Sequence, residues 1–74
     1  MKMKKIMYGV CMVTVAMDGL LATIDIFNRK TSETAKFFVD EWGTVSEKTN
    51  VKTYPKALIK AYGAVKEYRK EILA

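Results

Sequence analysis

The chain has 74 residues, one cysteine (Cys11) and no histidine, which excludes an internal disulfide, a Cys/His zinc site and a Ser-His or Cys-His nucleophile. One small domain at most can form, and a core of that size is marginal without a partner, a bilayer or very good packing. The net charge of +5 is unevenly placed: an apolar block comes first, then an acidic one with Glu33, Asp40, Glu41 and Glu47, then a basic one running from Lys48 to Lys70.

Residues 6–27 form an apolar run of 22 in which only Asp18 and Asp25 are charged. Lys2, Lys4 and Lys5 precede it, and Arg29 and Lys30 follow it. A spanning helix needs about 20 apolar residues, so the run predicts an N-terminal transmembrane helix, with Tyr8 and Phe27 near the two interfaces. On such a helix Cys11, Thr14, Asp18, Ala22 and Asp25 recur every three or four residues and share one face. That stripe is the expected partner interface. An Asp in mid-span costs about 2.5–3.5 kcal/mol, so Asp18 would need a donor on a neighbouring helix. Basic residues on both flanks leave the orientation open; counting the whole tail favours the cytoplasmic or matrix-like side for it.

The same run also reads as a β-hairpin. Asp18-Gly19 is a strong two-residue turn signal, and the flanking residues are rich in Val, Ile and Thr. With the turn there, Val15 pairs with Ala22, Val13 with Ile24 and Cys11 with Ile26 on one apolar face. The other face pairs Thr14 with Thr23 and Met12 with Asp25, yet still shows Val10, Met12, Leu21 and Phe27. A hairpin apolar on both faces needs cover on both. A third reading takes MKMKK and the following apolar residues as a secretory signal with a poor Thr14-x-Ala16 cleavage site, although the apolar run continues to Phe27.

Beyond residue 30 the pattern predicts two helices. Thr31 or Ser32 offers an N-cap, and Ala35, Phe38, Val39, Trp42 and Val45 follow at helical spacing, giving a helix over about residues 32–47 that Gly43 weakens. Residues 47–53 read as a polar connector. Pro55 suits the first position of a second helix whose apolar stripe is Leu58, Ala61, Tyr62, Val65, Tyr68 or Arg69, and Ile72, opposite Lys56, Lys60, Lys66, Glu67 and Lys70. The two helices would close a hairpin over Phe38, Trp42, Leu58, Tyr62 and Val65, with Trp42 as a core or interface anchor.

No phosphate loop, metal motif or nucleophile elbow is present, and Asp40 and Glu41, being adjacent, would diverge on a helix. The reading is therefore of a protein that is not an enzyme and takes no cofactor or metal. Tyr54, Tyr62 and Tyr68 interleave with lysines as in nucleic-acid binders, but Tyr62 falls on the apolar stripe and is assigned to a core.

The sequence thus predicts a mainly α fold: residues 1–30 as a membrane-spanning segment with basic flanks, and residues 31–74 as an amphipathic two-helix basic tail. The layout resembles that of small single-pass accessory subunits of membrane complexes, an analogy of architecture that gives no residue a role. The expected function is a non-catalytic accessory subunit. Its interface would comprise Cys11, Thr14, Asp18, Ala22, Asp25 and Trp42, and its partners other membrane-protein subunits and anionic lipid. The alternative is an α+β soluble interaction module, an N-terminal β-hairpin plus two helices, that binds nucleic acid or inhibits a protein.

Overall fold

The structure, a computed structural model, describes residues 2–47 and 55–73. The chain forms β1 (Lys2–Tyr8), β2 (Cys11–Asp18), β3 (Leu21–Asn28), β4 (Thr34–Val39), β5 (Val45–Glu47) and α1 (Pro55–Leu73). The strands pair in sequence order as one antiparallel meander, and α1 packs over β2 and β3. No helix among the described residues is long and apolar enough to cross a membrane. The predicted mainly α fold with a single transmembrane helix is therefore overturned, and with it the single-pass membrane localisation and the membrane-subunit role. Residues 6–27 are strands, and the α+β alternative is nearer the observed architecture.

The reason lies in the alternation along the chain. In β2, Cys11, Val13, Val15 and Met17 are buried while Met12, Thr14 and Ala16 are half-buried; in β3, Ala22, Ile24 and Ile26 are buried. Period-two burial is what a strand with one covered face requires. Strand pairing also leaves Asp18 in solvent and gives Asp25 a lysine neighbour across the sheet, so neither carboxylate has to enter an apolar medium.

The hairpin between β2 and β3 turns at Gly19-Leu20, not at Asp18-Gly19: Asp18 pairs with Leu21, Val15 with Ile24 and Val13 with Ile26. The expected register is thus off by two residues, an even slip that keeps every side chain on its expected face. Gly19 has φ +62° and Leu20 has no positive φ, the signature of a turn with glycine at its first central position. Gly9-Val10 joins β1 to β2 in the same way, with Gly9 at φ +59°. The residues assigned to a removable signal, up to Ala16, supply β1 and most of β2.

The helix predicted over residues 32–47 is instead β4, a turn and β5. Ala35, Phe37 and Val39 are buried at strand spacing, whereas the helical pattern had skipped Phe37. Asp40 builds the turn: its Oδ1 accepts from the backbone N–H of Trp42 (3.0 Å) and Thr44 (2.8 Å), as Asx turns do. The connector expected over residues 47–53 lies, apart from Glu47, outside the described residues. The second helix is present with Pro55 at its start. Ala57, Ala61, Ala64 and Val65 are its buried residues, with Leu58, Tyr62 and Tyr68 packed beside them. Of the helical-hairpin core predicted earlier, Val65 is buried, Leu58 and Tyr62 are half-buried, and Phe38 faces away from the helix; Trp42 is 81% exposed.

Candidate functional site

The six residues expected at a partner interface do not form one surface. Cys11 and Ala22 are buried under the helix, Asp18 is exposed at the end of β2, and Trp42 stands in the β4–β5 turn. Only Thr14 and Asp25 are brought together, as directly opposed residues of β2 and β3 on the sheet face away from α1. The single-face stripe required helical spacing; on strands, odd and even positions separate to opposite faces.

That helix-free face is organised in rows across the sheet. The middle row is Lys5, Thr14, Asp25 and Lys36, each opposite the next on its neighbouring strand. Lys36 Nζ lies 3.5 Å from Asp25 Oδ1, both side chains about half exposed. One flanking row is Met7, Met12, Phe27 and Thr34; the other is Met3, Ala16, Thr23, Phe38 and Ser46. Met3 is 63% and Met7 54% exposed, while Met12, Phe27 and Phe38 are half-buried. A solvated sheet face normally alternates to polar residues; here apolar side chains hold the positions on both sides of a charged centre. Reading the hairpin face had already picked out Met12 and Phe27. The sequence reading does not find Met3, Met7 and Lys5, because it divides β1 between a basic flank ending at Lys5 and a span beginning at Ile6, although KMKKIMY leads into Gly9-Val10 just as CMVTVAMD leads into Gly19-Leu20.

The other side of the sheet is closed by α1 and by contacts at its two ends. Arg69 donates from one terminal nitrogen to the backbone oxygen of Leu20 (2.7 Å) and to that of Asp40, so one guanidinium joins the helix to the β2–β3 and β4–β5 turns. The Tyr62 hydroxyl donates to Gly43 O at 3.2 Å. At the sheet edge Lys2 pairs with Glu71 at 3.1 Å and lies over the Tyr68 ring. At the opposite end, Arg29 donates to Gly9 O (3.2 Å) across the first turn. Of the tyrosines interleaved with lysines, Tyr62 and Tyr68 pack against the core and are not free stacking platforms, and Tyr54 lies outside the described residues. Among the described residues no cluster of three or more His, Cys, Asp or Glu could hold a metal ion. No protein-family model, curated protein or solved structure matches the chain.

Proposed function

We propose that the chain is a non-catalytic protein-binding module that docks its partner on the helix-free face of the sheet. The observation that carries this is the composition of that face: Met3, Met7, Met12, Phe27 and Phe38 in two rows flanking Lys5, Thr14, Asp25 and Lys36. Methionine adapts to irregular partner surfaces and phenylalanine brings large apolar area at low rotamer cost. Two rows of partly exposed apolar side chains on either side of a charged row offer a partner both apolar area and a polar register. Protein is favoured over nucleic acid because Asp25 takes up Lys36 in an ion pair and apolar rows flank them, which leaves this face no continuous basic track for a phosphate backbone. The non-catalytic reading rests on the absence of histidine and on a lone cysteine buried in the core.

Site-specific photo-crosslinking of the full chain in its native cells tests the proposal. A benzophenone amino acid in place of Phe27 should give protein adducts, and one in place of Ile59, which is 72% exposed on the helix, should not. A nucleic-acid adduct at position 27, or adducts confined to position 59, would overturn it.

A further inference from the structure

We infer that the occupant of this face is a second copy of the chain, packed sheet to sheet about a two-fold axis that runs along the strands between β2 and β3. The inference rests on the protein-binding reading above and names its partner. Its basis is an asymmetry in the pattern. On the helix-free face the methionines lie on β1 and β2, as Met3, Met7 and Met12, while the phenylalanines lie on β3 and β4, as Phe27 and Phe38. A two-fold along the strands exchanges β1 with β4 and β2 with β3, and it keeps each row on itself. Met12 then meets Phe27 of the second copy, Met3 meets Phe38, and Ala16 meets Thr23. Sulfur against aromatic rings and small on small is what such a contact favours. It is also isologous, as closed dimers require.

Charge selects this axis over the other in-plane choice. An axis running across the strands would lay Asp25 on Asp25, Lys5 on Lys5 and Lys36 on Lys36. The axis along the strands lays Asp25 on Thr14, whose hydroxyl can donate to it, and brings Lys5 of the second copy beside it. Lys5 and Lys36, on the outer strands of the contact, meet only at its rim, where both are exposed to screening solvent. Aligned sheets pack about 10 Å apart at an angle of about −30°, so the correspondence is tightest near the axis, at Met12–Phe27, Thr14–Asp25 and Ala16–Thr23. Edge-to-edge pairing is the competing way for two sheets to associate. The long edge β1 carries Lys2, Lys4 and Lys5, which oppose it, and the other edge, β5, has only three residues.

Light scattering of the full chain on a sizing column should give twice the 8.4 kDa of one chain at micromolar concentration. Ala16→Glu, which forces a charge into the centre of the contact, should halve that mass with the far-ultraviolet circular dichroism unchanged. Ile59→Glu on the helix should leave the mass doubled. Should Ala16→Glu fail to fold, a second measurement replaces it. Met7→Cys mixed with Thr34→Cys should be joined by a short bismaleimide. Neither variant alone should be, because like positions lie about 14 Å apart across three strand spacings. Wild type at one chain mass, or Met7→Cys joined to itself as readily as to Thr34→Cys, would overturn the inference. The two readings fail separately: a single-mass chain whose position-27 adduct is a different protein overturns the second copy alone, and a single-mass chain with no adduct there overturns both.

Discussion

Arg69 holds three parts of the chain together with one side chain. Its terminal nitrogen reaches Leu20 O and Asp40 O, and its buried Nε has no acceptor among the described residues. A lysine has a single flexible ammonium and no planar fork. Arg69→Lys should therefore lose about 1.5–3 kcal/mol, the range for hydrogen bonds to a charged group, read as a lower urea midpoint at unchanged slope. An unchanged midpoint would show that the turns hold without it. Gly9 and Gly19 act through backbone alone. A Cβ at either meets nothing within 4 Å, but φ near +60° is unfavourable for an L side chain. Each glycine-to-alanine change should cost about 1–2 kcal/mol. Of these two turns the sequence marks only the one at Gly19, and places it one residue early; the turn at Gly9-Val10 lies inside the predicted span. Asp18-Gly19 and Gly19-Leu20 are both acceptable turns, and only the pairing of the full strands, Tyr8 with Cys11 and Asp18 with Leu21, distinguishes them.

At the scale of elements, α1 and β4 show why one prediction succeeded and the other did not. The helix has 19 residues, and the predicted stripe through Leu58, Ala61, Tyr62 and Val65 has the three- and four-residue intervals of a helix; its most buried positions are Ala57, Ala61, Ala64 and Val65, and Ile72 at the end of the predicted stripe is exposed. In residues 32–47 the pattern is degenerate. Ala35 and Val39 are spaced by four, which suits a helix face and equally the alternate positions of a strand. Phe37 between them decides the matter only once something covers it. Small alanines let α1 approach the sheet closely, and Gly63 lies on its exposed side with open space around a Cβ. Gly63→Ala should therefore stabilise by about 0.8–1.0 kcal/mol, the propensity difference in a helix interior. A higher melting temperature checks this; a lower one would mean that an unseen neighbour fills the space.

At the scale of the whole molecule, one sheet face is sealed by a helix and the other is presented outward with a partly apolar surface. A second copy there makes stability depend on concentration, since association stabilises the folded state by mass action. The melting temperature of the full chain should rise as the protein is concentrated, and that of Ala16→Glu should not. A wild-type melting temperature independent of concentration would argue against association through this face. The membrane reading failed at this scale. Mean hydropathy along residues 6–27 is blind to whether alternate side chains share an environment, and a half-buried hairpin can be as apolar on average as a span.

By itself the sequence offered two groupings, a helical stripe joining Cys11 to Thr14 and Asp18, and a hairpin alternative joining Cys11, Val13 and Val15 to Ile24 and Ile26, and the structure has the second. The sequence did determine the helix beginning at Pro55 and the absence of His- or disulfide-based chemistry. Only the tertiary structure decided that these faces are those of a sheet, that residues 2–8 and 34–39 join it, and which face α1 covers. The physical reason is that local propensity and periodicity act over a few residues. Strand pairing, burial of Phe37 and the solvation of Asp18 and Asp25 are set by partners distant in sequence, and their free energy appears only when the whole sheet has formed.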